Sequence, residues 1–428
     1  MLNTYTDGDL SLVLQNQLSG VKTNEVSKKH LIRLQNEIKS GRLNLESVVS
    51  CVCCGRDDFI NVSNVDRFSL PFTSLLCQDC GLISTSPRLK EEDLPYYYSE
   101  LYHPINFGRE SMETHKHKHL FSAGQGLKIY KKISPYITKG SLKILEIGSG
   151  MGDVISGIIK ADQKSDYALA VGMEYNRECL VMARRHAKEN ALDIQFAEGG
   201  FNEAKLISSK YNIIILSHVF EHLIDLKLAM EQLNEMLEDD GLLYVEVPGL
   251  FVNHMKEYYN YTFVDYTIHA HMYNFSAQSL VNVLVSGGFE CLSINESVEG
   301  VFKKNKNIIG QPIKNNYQQV LFYLKLIGDK DFLKFSRSKD SKIKKINKEL
   351  GVLSDKIIEC KAIIDSLEEK NKINELLLME KSKLLLEYKL KVNLIRQYSV
   401  VKHPFLKFQA YACLFNWLII KQNVMKLY

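Results

Sequence analysis

The chain has 428 residues, 45% of them apolar and 24% charged, and its 54 basic and 50 acidic side chains leave a net charge of only +4. Those proportions exclude a wholly disordered chain and a collagen-like one. A near-neutral balance gives no bulk electrostatic grip on a polyanion, so no nucleic acid is expected as a partner. No run of 18 apolar residues is present, so no ordinary membrane-spanning helix is expected. The segment from Met1 to Leu18 carries Asp7 and Asp9 and lacks a basic start with an apolar core. It does not read as an export signal, and the expected compartment is the cytoplasm.

Residues 1–47 are polar with scattered aliphatics, and Leu31, Leu34 and Ile38 share one helical face. This reads as a short helical segment with no assigned chemistry. Five of the nine cysteines then fall between Cys51 and Cys80. Cys51-Val52-Cys53-Cys54-Gly55 and Cys77-Gln78-Asp79-Cys80-Gly81 form two C-x-x-C-G knuckles, with a glycine that lets the backbone turn toward the sulfurs. In a chain without an export signal, such clustering reads as metal binding rather than as a disulfide framework. Four thiolates (Cys51, Cys54, Cys77 and Cys80) satisfy a tetrahedral zinc ion with no open position, which makes the site structural. Cys53 is a spare that could replace Cys51 or Cys54. The module is bounded at 48–105.

Residues 140–300 alternate strand-like and helix-like stretches, within a domain bounded at 106–315. Leu142–Ile147, Tyr167–Gly172, Asp193–Ala197, Tyr211–Ser217, Gly241–Pro248 and Phe289–Ile294 read as strands. Helices are expected over 153–160, 177–190, 225–237 and 276–286. That alternation predicts an α/β domain with a mostly parallel sheet and helices on both faces. A linker is expected over 316–339. Over 340–397, positions from Ile343 to Ile395 repeat with 3-4 spacing, and only Asn371, Asn374 and Lys381 among them are not apolar. This is a coiled-coil pattern, and the expected partner is a second copy of the chain. The tail, 398–428, is rich in aromatic and aliphatic side chains, with Trp417 and flanking lysines. It could lie on a membrane surface, dock on a partner such as a glycosyltransferase, or cap the coil. A peripheral position at the inner face of a membrane follows from the first of these.

The sharpest motif is Glu146-Ile147-Gly148-Ser149-Gly150-Met151-Gly152, set between a predicted strand and a predicted helix. Its glycines allow a tight turn and a close backbone approach to a ligand. Glu174, 28 residues after Glu146, ends the second strand, where a carboxylate can take both hydroxyls of a ribose. This set resembles the class I S-adenosylmethionine-dependent methyltransferases. The resemblance implies a Rossmann-like sheet and S-adenosylmethionine as cofactor. It implies that Glu146, Gly148, Ser149, Gly150 and Gly152 line the methionine and ribose region, that Glu174 binds the ribose, and that Tyr175 lies beside the adenine. An acid often found near the adenine is here Gly200, so Phe201 and backbone groups would serve. Ser217 and His218, leaving the fourth strand, would lie against the cofactor.

From Cys77 through Pro87-Arg88 to Tyr96-Tyr97-Tyr98 and Tyr102, the chain resembles the small zinc-binding module that precedes many bacterial sugar methyltransferases. That resemblance implies an acceptor on a surface glycan, a nucleotide sugar or a lipid-linked sugar. Methyl transfer from a sulfonium is an in-line displacement that needs alignment and removal of the acceptor proton. His222, in Phe220-Glu221-His222, and His271, in His269-Ala270-His271, are the candidate bases. Similar enzymes often carry a glutamate where Ala270 stands, and use it in carbon methylation. Its loss favours O-methylation, for which one base is sufficient. His269 is expected to support His271, and His115, His117 and His119 to form a solvated face. Two rival readings are a zinc-finger rRNA base methyltransferase and a non-catalytic coiled-coil scaffold. The acidity around Asp57, Asp58, Asp66 and Asp79 argues against the first, and the intact glycine set against the second.

Overall fold

The computed structural model describes residues 19–110, 119–137, 140–162, 164–255, 259–260 and 262–328. The expected coiled coil, the tail, His115 and His117 lie outside the described residues. The chain divides into two units, Met1–Asp340 and Ser341–Tyr428, and all of the described residues belong to the first.

Near-continuous apolar runs bury on both faces, and this dictates the centre of the fold. The larger sheet is built from β4 (Ser141–Ile147), β5 (Asp166–Glu174), β6 (Gln195–Glu198), β7 (Tyr211–Ser217), β8 (Leu237–Glu246), β10 (Phe289–Ile294) and β11 (Glu299–Lys304). Its order is β10-β11-β8-β7-β4-β5-β6, and only β11 runs antiparallel to its neighbours. Ile213, Ile214, Ile215 and Leu216 of β7 are all at most 1% exposed. They divide between two cores, Ile213 and Ile215 on one face with Ile155, Ile158 and Ala183, Ile214 and Leu216 on the other with Phe220, Leu233 and Leu243. The helices that supply these faces are α3 (Asp153–Ala161), α4 (Arg177–Glu189) and α6 (Leu226–Met236), with α2 (His119–Ile133) against α3. Side-chain oxygens cap two of them: Asn176 accepts from the Cys179 N–H, and Asp225 from the Leu228 N–H. The strand over 299–304 is not among those expected, because Glu299-Gly300 and Lys303-Lys304 break its apolar run.

The cysteine-bearing segment folds into a second sheet of four strands. These are β1 (Phe59–Ser63), β2 (Thr73–Cys77), β3 (Ile83–Ser86) and β9 (Tyr273–Asn274), in the order β9-β3-β2-β1. The last comes from residues expected to belong to the other domain: Tyr273 pairs with Ser84 and Asn274 with Ile83. The boundary drawn at residue 105 therefore does not separate two bodies. The N-terminal helix, α1 (Glu25–Lys39), joins the same core through Leu34, which packs with Phe72, Leu89, Tyr97 and Ile268.

The expected linker needs correction too. Residues Tyr317–Gly328 form a helix, α8, with Val320, Leu324 and Ile327 fully buried. They pack against Leu76 and Ile83 of the small sheet and against Leu250, Phe251 and Phe263. Its apolar spacing, Tyr317, Val320, Leu321, Leu324 and Ile327, is visible in the sequence but lies beyond the last motif. A cavity at such a site costs about 2–5 kcal/mol. Leu324→Ala should lower unfolding stability by that amount, measured as a fall in the chemical-denaturation midpoint.

Candidate functional site

The strand order reverses between β4 and β7, so the loops leaving their carboxyl ends diverge and open a crevice. One wall is the glycine loop. Gly148, Gly150 and Gly152 all hold positive φ, at 68°, 52° and 76°. At Gly148 a Cβ would collide with Val219 Cγ2, and at Gly152 with the Phe196 ring, so those two glycines are needed for packing. At Gly150 nothing lies within 4 Å of an added Cβ, which leaves an open cradle in the crevice. Ser149 donates its N–H to the Met173 carbonyl at 2.8 Å, and its buried Oγ has no hydrogen-bond partner.

Glu174 sits at the end of β5 with both oxygens engaged by backbone: Gly150 N–H donates to Oε2 at 2.9 Å and Asn176 N–H to Oε1 at 2.8 Å. These bonds fix the carboxylate's orientation and leave it lone pairs for a ligand's hydroxyls. Tyr175 is 59% exposed, and its hydroxyl end lies over Gly200, where a Cβ would meet the oxygen at 2.5 Å. Gly200 donates its N–H to Glu203 Oε2, and Phe201 opens the helix that follows, Phe201–Ile207. Around this end Met151 packs on Cys179 and Met182.

Glu146 departs from its expected role. It is 2% exposed, and its Oε2 accepts the Ile155 N–H at 3.1 Å, so it ties the first turn of α3 from behind the loop. Burial holds its carboxyl well above the usual carboxylate range. In this position it braces the glycine loop.

The second wall follows β7. Ser217 Oγ donates to Glu246 Oε2 at 3.3 Å, and His218 N–H donates to the Glu246 carbonyl at 2.8 Å. His218 holds φ 57° with its side chain 55% exposed, a backbone strain that occurs most often at functional sites. Glu246 also accepts two hydrogen bonds from Gln125 Nε2, at 2.8 and 2.7 Å. No sequence signal singled out Glu246 or Gln125.

Beyond His218 a short turn, Phe220–His222, carries Glu221 and His222 toward His271. His222 Nδ1 lies 2.8 Å from the Ala270 carbonyl, which obliges that nitrogen to carry the proton. Tyr98 Oη lies 3.0 Å from the same nitrogen. The His222 and His271 rings meet edge to face at 4.8 Å between centroids. Burial pushes the His222 pKa down, and burial together with His222 pushes that of His271 well below the usual histidine range. Both candidate bases thus stand in one cluster, with Glu221 and Tyr98 as additions.

The loop that carries His271 is held by the cysteine-bearing segment. His269 is buried between Asp66 Oδ2, 2.7 Å from Nδ1, and the Tyr97 hydroxyl, 2.8 Å from Nε2. Thr85 clasps the same loop, its Oγ1 donating to the His271 carbonyl at 2.6 Å and its N–H to that of Met272 at 2.9 Å. His269 thus anchors the loop on which His271 lies and makes no direct hydrogen bond to His271 among the described contacts.

At the far end of the small sheet, the sulfurs of Cys51, Cys54, Cys77 and Cys80 all lie within 4.8 Å of one another. Gly55 and Gly81 adopt matching turns, φ 74° and 76°, each donating its N–H to the carbonyl of the cysteine four residues earlier. Contact with Cys77 pushes the Cys51 thiol up and pulls the Cys77 thiol down. The donor set fits a closed tetrahedral zinc site; buried Cys53 is not one of its four mutually close sulfurs, although it lies against Cys80.

Residues 117–294 match the family model described as a methyltransferase domain. A ubiquinone biosynthesis O-methyltransferase of Actinobacillus pleuropneumoniae is 26% identical over 107 residues, which span 24% of this chain and 44% of that protein. One of the same description from Bartonella tribocorum is 31% identical over 109 residues, spanning 24% of this chain and 40% of its own length. The chain therefore spans less than half the length of these curated relatives. An S-adenosylmethionine-dependent methyltransferase structure from Clostridium acetobutylicum superposes with a TM-score of 0.35 at 12% identity, covering 45% of this chain and 97% of that one. The family-model match covers the glycine loop and does not reach the four clustered cysteines. Purified chain should carry about one zinc by elemental analysis. The double replacement Cys77→Ser with Cys80→Ser should lose it and unfold at lower temperature, because a structural ion contributes folding energy directly.

Proposed function

We propose that the chain is an S-adenosylmethionine-dependent methyltransferase that methylates a hydroxyl oxygen. One observation carries this reading: the glycine loop, with its open cradle at Gly150 and the oriented Glu174 carboxylate, touches Val219 at Gly148, and Val219 leads into the turn that brings Glu221 and His222 to His271. The fit of the cofactor rests on the unpartnered Ser149 Oγ and on the free lone pairs of Glu174. Bound there, S-adenosylmethionine supplies an electrophilic methyl group. Glu174 binds the ribose hydroxyls, the glycine-loop amides approach the methionyl part, and Tyr175 and Phe201 border the base. His218 borders the reacting centre. The acceptor hydroxyl loses its proton at the His222–His271 cluster as its oxygen takes the methyl. Zinc at Cys51, Cys54, Cys77 and Cys80 holds the small sheet and takes no part in the step.

The acceptor we propose is a sugar of a surface glycan or its precursor. Resemblance of the cysteine module to that of sugar methyltransferases supports it. The curated relatives suggest a second acceptor, a phenolic hydroxyl of a quinone precursor. The heptads over 340–397 and the tail carry a further proposal, a homodimer held near a membrane surface or a glycosyltransferase.

Incubation with methyl-labelled cofactor and separate pools of nucleotide sugars, lipid-linked glycans and prenylated phenols tests the acceptor. Label is expected in a sugar pool as an O-methyl ether; label only in the phenols would overturn the sugar reading. Gly150→Val should weaken cofactor binding by at least about tenfold, since a branched residue resists positive φ and fills the cradle. Calorimetry reads that loss, and unchanged affinity would remove the crevice as the cofactor site. Replacing His271 or His222 with Asn should cut turnover by about 10²–10⁴-fold while cofactor affinity changes little.

A further inference from the structure

Glu221 is the least expected group in the crevice. Its side chain is 1% exposed, yet neither carboxylate oxygen accepts a hydrogen bond. A buried carboxylate without such bonds is costly unless a positive charge stands against it. Among the described residues, the groups beside it that can carry a positive charge are histidines, and the Tyr98 and Tyr266 hydroxyls also stand near it. His218 Nδ1 lies 3.5 Å and His222 Nε2 3.9 Å from Oε1. The bond from His222 Nδ1 to the Ala270 carbonyl leaves Nε2 turned toward the carboxylate, and the two face each other without a hydrogen bond. His271 brings a third: one atom each from Glu221, His222 and His271 lies within 4.8 Å of the others.

We propose that Glu221, His222 and His271 bind a divalent first-row metal ion, distinct from the ion of the thiolate cluster. Metal–ligand distances of about 2.0–2.2 Å would draw the three donors together by roughly 1 Å. The bond from His222 to the Ala270 carbonyl is the outer contact that orients an imidazole ligand and fixes its free nitrogen. Met272 N–H donates to the Glu221 carbonyl at 2.8 Å, so backbone also joins the two segments that supply the donors. Two imidazoles and one carboxylate suit manganese, iron, cobalt, nickel or zinc, whereas four thiolates select zinc. Three protein ligands leave open positions, so the ion binds the acceptor.

The site is placed for that task. Val219, next to the cluster, touches the glycine loop at Gly148. An acceptor hydroxyl bound to the ion lies beside the methyl donor and is acidified by coordination. Its proton leaves to water, the O–CH3 bond forms, and the S–CH3 bond of the sulfonium breaks to give the neutral thioether. His222 and His271 then hold the ion instead of taking the proton. This inference rests on the reading that an acceptor oxygen reacts at this cluster.

Mn2+ is the probe, because it prefers nitrogen and oxygen ligands and leaves the thiolates to zinc. Full-length chain carrying a single zinc per chain, which the four thiolates retain, is titrated with MnCl2 while electron paramagnetic resonance follows the free ion. The expected result is saturable uptake of about one Mn2+ per chain, weakened at least about tenfold in Glu221→Gln and in His271→Gln. Retained cofactor binding and an unchanged circular dichroism spectrum establish that each variant is folded. A free-ion signal that rises linearly with added Mn2+ would overturn the proposal, as would Glu221→Gln binding Mn2+ like the parent. Methylation that persists without Mn2+ uptake rejects the metal site and leaves the methyltransferase reading intact. Uptake lost in both variants supports the site even if no hydroxyl acceptor is methylated.

Discussion

The buried contact between Asp66 and His269 is the constraint on which the rest of the site depends. Both side chains are at most 2% exposed, and each is fully partnered. Asp66 accepts from Phe68 and Leu70 N–H through Oδ1 and from the main chain and ring of His269 through Oδ2. Tyr97 closes the chain of bonds at the other nitrogen of the ring. Breaking such a pair by removing one partner typically costs about 3–5 kcal/mol, because the other is left buried without compensation. The contact spans 203 residues of sequence. It therefore locks the loop over 267–275 onto the cysteine-bearing sheet, and His271 rides on that loop. Arg67 adds donations to the Tyr266 and Thr267 carbonyls, so the loop is gripped before and after His269.

The four carboxylates around the crevice differ because their surroundings differ. Glu174 receives two backbone N–H groups and faces outward, which suits an acceptor of ligand hydroxyls. Glu146 receives one N–H from the start of α3 and is sealed from solvent, which suits a brace. Glu246 is occupied by Gln125, Ser217 and Tyr244, and so holds the second wall in shape. Only Glu221 is buried with neither oxygen hydrogen-bonded, beside three imidazoles. Burial without compensation is the pattern that native structures avoid except where something functional is to be bound.

Much of the sheet was legible because its strands are continuous apolar runs and its helices begin with capping residues. Tyr211–Ser217 matches its predicted bounds, and the helix starts near 153, 177, 226 and 277 fall within a residue of expectation. The strand at 299–304 and helix α8 were missed for different reasons. The first lacks a clean apolar pattern. The second has a good one, but a helix at that position has meaning only against the surface it covers, made of Leu76, Ile83 and Phe263. The division into cysteine module and methyltransferase domain failed similarly, since a two-residue strand such as β9 carries no sequence signal of its own.

The sequence by itself determined the parts whose chemistry is local. The tight turn at Gly148, Gly150 and Gly152 was readable because glycine alone takes positive φ without strain, as was the pairing of two C-x-x-C-G turns into one cluster of four sulfurs. Glu174 at the end of its strand was equally readable, because strand length and the glycine loop fix its place. Only the tertiary structure decided that Glu146 turns inward, that Cys53 is not one of the four clustered sulfurs, and that Tyr98, Glu221, His222 and His271 meet. These are contacts between segments up to 173 residues apart, from Tyr98 to His271. Burial and the direction of a lone pair govern them, and neither is a property of a residue until the chain around it has folded.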